Sequence, residues 1–302
     1  MQKVLITGAS GLIGRRLIQL LLKRGYSVHT LSRNADTSQK SYKTFGWNID
    51  KGEVDTHAFE GVEAIIHLAG AGVAENRWTD TYKKEIIDSR VKGAKLIFDV
   101  LKKNKGGVKT YISAAAVGYY GDCGDELLGE EHPAGKGFLS EVCKQWEQSA
   151  KQFSKIGIRE VRCRIGVVLA QNGGALPELT KTMGLGVSAY FAKSPLYYPW
   201  VHLDDVCGAM IQALENENMQ GAYNTTAPTP IAIKELMLEI IRVKKIQTLL
   251  VPAPSFAIQL ALGDMSEMIL GSQRCSAGKL MESGYEFKYG NITQALESIY
   301  GK

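Results

Sequence analysis

Long apolar runs are missing from this chain. Its 302 residues are 45% hydrophobic and 22% charged, an ordinary balance for a folded polypeptide. No apolar stretch reaches the ~18 residues that a membrane-spanning helix needs, so no membrane is expected. No targeting leader is expected either: the first residues, MQKVLITG, already read as a strand and carry no charged, apolar and small-residue pattern. Paired cysteines are absent. Cys123, Cys143, Cys163, Cys207 and Cys275 are scattered, odd in number and without a CxxC, which suggests neither a disulfide framework nor a zinc site; no metal is expected. A concentrated basic patch is absent as well. Net charge is +5, but the densest clusters (Lys102, Lys103 and Lys105; Lys244 and Lys245) are short, so nucleic acid is not an expected partner. A small, phosphorylated molecule fits the mild basic balance, and a reduced, cytoplasmic compartment is the expected setting.

What is present is an alternation of short apolar β-type runs and helical patterns. Strands are expected at 3–7, 27–32, 64–70, 109–115 and 160–169, and helices near 12–24, 80–103, 138–155, 205–215 and 232–243. Strands that are apolar throughout are buried on both faces, which implies a parallel sheet covered by helices. The expected fold is therefore α/β, a Rossmann-type doubly wound parallel sheet with a small C-terminal cap region. The nucleotide-binding core is expected over 1–170, with a later strand and helix returning from about 200–226. The Gly-, Pro- and aromatic-rich stretch from 171 and the tail to 302 form the substrate side and a helical cap.

The strongest motif is VLITGASGLIGRRL. Gly8, Gly11 and Gly14 follow a strand and open a helix, the placement in which glycines let the backbone approach a pyrophosphate and helix amides bind it. Gly8, Ser10, Gly11, Leu12, Ile13 and Gly14 make up the expected phosphate turn of a dinucleotide site. At the end of the second strand an NAD-specific site carries Asp or Glu for the ribose hydroxyls. Here Ser32 and Arg33 stand in its place. A carboxylate repels a 2′-phosphate and a guanidinium binds one, so NADP (NADPH) is the expected cofactor. In AIIHLAGAG, Leu68 and Ala69 are expected to line the cofactor and Gly70 to permit close approach. His67 reads as a strand-face histidine.

TGASGLIG, HLAGAG, SAAAVGYYG and WVHLDD together resemble the extended short-chain dehydrogenase/reductase superfamily, of nucleotide-sugar epimerase type. KEIIDSR, VGYYGD, FLSEVCKQWE, GVVLAQNGGAL, YYPWVHLDDV and LGSQRC narrow the resemblance to its atypical branch, the epimerase family SDR39U1-like proteins, over essentially the whole chain. The resemblance implies NADP contacts at the glycine turn, at Ser32 and Arg33, at Leu68 and Ala69, and on the helix KEIIDSRVKGA. Arg90 stands there where extended members usually have asparagine, with Glu85 five residues earlier and able to pair with it. It also implies Val168 as a contact on the nicotinamide side. Relatives of this type often dimerise through the helices near 80–103 and 138–155, which allows a homodimer.

The superfamily's chemistry uses Ser or Thr, Tyr and Lys, the last two four apart on one helix face. No Y-x-x-x-K follows the strand KTYISAAA. With Trp146 and Glu147 as register, Leu139 falls at the tyrosine position and Cys143 at the lysine position, while Phe138 and Lys144 are each rotated by about 100°. The serine position falls near Ala115 or Ala116, with Ser113 two or three residues early. The catalytic groups are therefore unknown. Weak substitutes are Tyr119 and Tyr120 at the strand end and His202 ahead of Asp204 and Asp205. Each also has a plainer role, as pocket wall or as helix-start cap. Arg77 and Trp78 lie in a loop able to cover the cofactor.

Two functions stay open. One is an NADP-dependent oxidoreductase or epimerase-like enzyme acting on an unidentified small carbonyl or hydroxyl metabolite. The other is a catalytically degenerate NADPH-binding sensor or regulatory protein.

Overall fold

A computed structural model of the protein describes residues 2–34, 41–191 and 196–301. The chain folds as two compact units. The first comprises Met1–Ala115, Val142–Cys163 and Cys207–Ala222, and the second Ala116–Glu141, Arg164–Val206 and Tyr223–Lys302. This interleaving differs from the division at 170 and 171. Residues 117–128 build a small apolar cluster with Cys275, through Val117, Tyr120 and Leu128, and so pack with the C-terminal part of the chain.

The large sheet has eight strands: β1 (Lys3–Thr7), β2 (Ser27–Ser32), β3 (Lys43–Asn48), β4 (Glu53–Val54), β5 (Ala64–His67), β6 (Thr110–Ala116), β7 (Arg159–Ile165) and β8 (Gly221–Thr225). Their order is β8-β7-β6-β5-β1-β2-β3-β4. β1 pairs in parallel with β2 and β5, β2 with β3, and β5 with β6, while β3–β4 is an antiparallel edge. This is the Rossmann-type α/β fold that the alternation implies. β3 was not anticipated, since KTFGWN carries lysine, glycine and asparagine among its apolar residues. The expected strand at 160–169 is two strands, β7 and Val167–Ala170, broken at Gly166. A side chain there would have its Cβ 2.0 Å from the Pro199 carbonyl oxygen.

Helix α1 (Leu12–Lys23) buries Gly14, Leu17, Ile18 and Leu21 on one face, the spacing of an amphipathic helix on a sheet. Helix α2 (Asp80–Lys103) starts at Thr79, whose side chain accepts from the Tyr82 amide. Its buried stripe is Tyr82, Ile86, Arg90, Gly93, Ala94, Ile97 and Leu101, so an arginine stands in an otherwise apolar row. The core beneath is continuous, with the Tyr111 and Phe153 rings stacked at 3.6 Å beside Leu5, Ile65 and Ile97. Helix α3 (Phe138–Lys151) tightens into a 3₁₀ turn over Gln152–Ile156.

In the second unit, Leu169, Trp200, Leu236, Ile240 and Leu296 form the core. Three of its helices follow α4 (Leu203–Glu215): α5 (Ile233–Lys244), α6 (Ser255–Leu262) and α7 (Ile292–Tyr300). Among the described residues no helix is long and apolar enough to cross a membrane.

Candidate active site

The glycine turn is built by β1 running into α1. Gly8 has φ +71°, and a Cβ on it would lie 2.8 Å from the Leu68 carbonyl carbon. A Cβ on Gly14 would lie 2.3 Å from the Gly8 carbonyl oxygen. One position thus needs glycine for conformation and space, the other for helix–strand approach. Gly11 caps α1 with no side-chain hydrogen bond, and the first turn holds no acidic residue. Among the described residues no side-chain cap takes the first amides of α1, and the helix end is electropositive. Ser10, Gly11, Leu12 and Ile13 surround that end, an arrangement that fits a pyrophosphate.

A residue that the sequence reading passed over organises the neighbouring strand end. Thr7 Oγ1 accepts from the Leu68 and Ala69 amides, both at 3.1 Å, and lies 2.8 Å from His67 Nδ1. With both lone pairs taken, the hydroxyl proton is left for Nδ1, which puts the imidazole proton on Nε2. Among the described residues that nitrogen has no partner within hydrogen-bond distance. His67 is fully buried, and burial pulls its pKa down to about 4, the Arg90 carbonyl opposing the shift. It is a neutral structural group at pH 7. The loop beyond is held by Ser89, whose hydroxyl accepts from the Ala71 amide at 2.9 Å. The signal that points to Thr7 is its place directly before the first glycine of the turn, at the end of a buried strand.

Ser32 ends β2 and its hydroxyl accepts from the Asn34 amide at 3.2 Å; Arg33 is exposed. Arg90 does not pair with Glu85. Five residues on a helix rotate by roughly 140°, so Glu85 is exposed while Arg90 turns inward. Arg90 Nη1 donates to the Ile86 carbonyl at 2.8 Å, and the guanidinium lies 4.7 Å from the Trp146 ring centroid and packs against Gly70. Trp78 is buried with its indole N–H on the Val73 carbonyl at 2.7 Å, and Arg77 is exposed. Leu139 on α3 is half-buried, and Cys143, Ala115 and Ser113 are buried. The Ser113 hydroxyl donates to the Ala114 carbonyl.

In the second unit, Val168 pairs with Val201 in a three-stranded sheet of its own. The two tyrosines differ sharply. Tyr120 is 1% exposed; its hydroxyl lies 2.7 Å from Asn224 Oδ1 and 3.0 Å from the Gly129 carbonyl, and accepts from Arg164 Nη1 at 2.8 Å. Burial pushes this phenol well above its ordinary range, against the opposing pull of Arg164. Tyr119 is half-buried, with the Arg164 guanidinium 3.7 Å from its ring centroid. No hydrogen bond to its hydroxyl is found among the described residues. His202 Nδ1 accepts from the Asp204 amide at 3.1 Å and Nε2 lies 3.3 Å from Ser298 Oγ, with the ring against Tyr289. It fixes the start of α4. Asp205 is fully buried there, taking the Tyr285 hydroxyl and the Lys288 and Tyr289 amides.

A family model described as the NAD dependent epimerase/dehydratase family matches residues 4–154, the region holding the glycine turn, Thr7 and Arg90. The chain belongs to that family. A second model, a domain of unknown function (DUF1731), matches residues 253–299. The epimerase family protein SDR39U1 homolog of Arabidopsis thaliana, labelled chloroplastic, is 32% identical over 98% of this chain and 86% of its own. YfhF of Bacillus subtilis is 32% identical over 98% and 97%. The human epimerase family protein SDR39U1, solved with NADPH, superposes with a TM-score of 0.86 at 25% identity, covering 99% of both chains. This epimerase-family chain is thus of the SDR39U1-like branch, an NAD(P)-dependent, oxidoreductase- or epimerase-like protein. A Bacillus cereus UDP-glucuronic acid 4-epimerase, TM-score 0.77 at 15% identity over 99% of this chain and 98% of that one, shares the fold.

Proposed function

We propose that this chain binds NADP(H) and uses it on a small carbonyl or hydroxyl compound in a cytoplasmic setting. The observation that carries the cofactor choice is the end of β2, where Ser32 is followed by the exposed guanidinium of Arg33. NADPH in the human relative supports the same choice. When bound, the nicotinamide supplies or accepts a hydride. The α1 amides hold the pyrophosphate, Gly8 and Gly14 let β1 turn tightly into α1 so that those amides are presented, and Arg33 pairs with the 2′-phosphate. Of the two phenols after β6, Tyr120 is tied to Asn224, Gly129 and Arg164. Tyr119 is the one left to exchange a proton with a substrate oxygen.

Arg33→Ala tests the cofactor part. Loss of a charge-assisted pair worth about 1.5–3 kcal/mol should weaken NADPH roughly 10- to 100-fold, with NADH changed little in the same fluorescence titration. Equal losses for both would show that Arg33 does not read the phosphate. The second reading, an NADPH sensor without turnover, is favoured by Leu139 and buried Cys143 at the positions of the superfamily's tyrosine and lysine. Tight NADPH binding with no oxidation across a panel of nucleotide sugars and simple ketones would select it. Turnover abolished by Tyr119→Phe and retained in folded Tyr120→Phe selects the first.

A further inference from the structure

The side chain against which Tyr119 rests is Arg164, and its placement is unusually constrained. It is 3% exposed. One nitrogen, Nη1, donates to the Tyr120 hydroxyl at 2.8 Å and to the Glu130 carbonyl at 3.1 Å. Its central carbon lies 3.7 Å from the Tyr119 ring centroid and 5.0 Å from that of Tyr120. The two rings stand edge to face at 5.4 Å and 89°. Tyr120 is fixed in turn by Asn224, whose Nδ2 donates to the Leu128 and Ser276 carbonyls and so must present Oδ1 to the phenol. Main-chain bonds hold the same turn: the Gly135 amide donates to the Tyr119 carbonyl and the Ser140 hydroxyl to the Gly118 carbonyl.

Tyr120 and the Glu130 carbonyl hold the Arg164 guanidinium, Asn224 holds Tyr120, and the main-chain bonds hold the turn that carries Tyr119. The Tyr119 ring lies against the guanidinium, and among the described residues no hydrogen bond reaches its hydroxyl. A tyrosine serving only as wall gains nothing from such a support. A phenol that must meet a reacting atom does, because rate depends on holding the group within a fraction of an ångström. Lysine does not replace arginine here, since an ammonium offers no planar face to lie against the Tyr119 ring.

We propose that Arg164 is the positioning residue of this site, holding the Tyr119 ring against its guanidinium, with the Tyr120 ring packed beside both, so that the Tyr119 hydroxyl is aimed at a substrate oxygen. The claim rests on the reading of Tyr119 as the proton-exchanging phenol, and the test separates the two. In the full chain, 3-fluorotyrosine placed at position 119 should give one narrow ¹⁹F line. Arg164→Met should broaden or split that line and move it toward the free amino acid. NADPH titration and thermal unfolding serve as controls for folding. If Arg164→Met does not fold, Arg164→Lys carries the test, with a smaller shift of the same sense. An unchanged line in a folded variant overturns the proposal.

The activity arm uses a double-mutant cycle. Arg164→Lys should lower kcat about tenfold or more while KM stays within about twofold. In a Tyr119→Phe background it should add less than about twofold, because the two residues act as one unit. Independent, multiplying losses overturn the claim that Arg164 works through Tyr119. Should no substrate turn over, the functional reading fails, and the ¹⁹F line still decides whether Arg164 orders Tyr119.

Discussion

Replacing Thr7 with valine keeps the shape of the side chain and removes only its hydroxyl. Three groups depend on that oxygen: the Leu68 amide, the Ala69 amide and His67 Nδ1. Leu68 has a second acceptor in the Thr7 carbonyl at 3.3 Å, so the substitution strands two groups. Each costs about 1–3 kcal/mol, and the added methyl returns less than about 1 kcal/mol. The net is a loss of roughly 1–5 kcal/mol, or roughly 3–15 °C in the melting temperature at about 3 °C per kcal/mol. Thr7→Ser is the control, because it keeps the hydroxyl and loses one buried methyl, at about 1 kcal/mol. If shape governs this position, valine is the milder change; if the hydrogen bonds govern it, serine is. Thermal unfolding of the two variants side by side, with NADPH titration of each, reads the order. A valine variant as stable as the serine one would refute the role given to the Thr7 hydroxyl.

Other outcomes follow from the same geometry. His67 has its pKa lowered from 6.5 to about 4 by burial, so the unfolded chain takes up the extra proton between those values. The stabilisation, about 3 kcal/mol, is complete above pH 6.5 and lost as pH falls toward 4. His67→Gln should flatten that limb in urea titrations at pH 7, 5.5 and 4, and an unchanged slope would assign acid sensitivity elsewhere. Gly14→Ala puts a Cβ 2.3 Å from the Gly8 carbonyl oxygen and should cost about 1–3 kcal/mol and at least tenfold in NADPH affinity by fluorescence. Wild-type affinity would show that the turn yields without penalty. Glu267→Ala removes the acceptor of the Phe138 and Leu139 amides, both at 3.0 Å, and should cost about 1–2 kcal/mol. Faster hydrogen exchange confined to the first turn of α3 reads it; unchanged exchange there would mean another acceptor replaces the carboxylate.

Local features were readable from the chain, and features assembled over distance were not. β1, β2 and α2 span the expected residues because apolar runs and a 3.6-residue period are properties of neighbouring positions. The glycine turn belongs to the same class. The break at Gly166 does not, since what forbids a side chain there is the Pro199 carbonyl, thirty-three positions on. The charges of β7 were equally silent. Arg162 pairs with Glu147 at 2.6 Å and with Glu160 at 2.9 Å, all three buried, and nothing in REVRCRI announces a partner on α3. Glu85 and Arg90 show the opposite limit: close in sequence and opposite in charge, they look able to pair, yet the helix turns them apart. The contrast between Tyr119 and Tyr120 depends on Arg164 and Asn224, which arrive from remote strands.

The cap on α3 bears on how such a chain can change. Separate family models match 4–154 and 253–299, as though two modules had been joined. Yet Glu267, from the second stretch, closes the helix that begins in the first, and a Cβ at Gly137 would lie 2.5 Å from its Oε1. The modules are not interchangeable parts. A C-terminal segment grafted from a relative must bring a carboxylate to that spot, and position 137, at φ +105°, must stay glycine to receive it. A glycine and a carboxylate, one on either side of the apparent seam, thus have to be kept together.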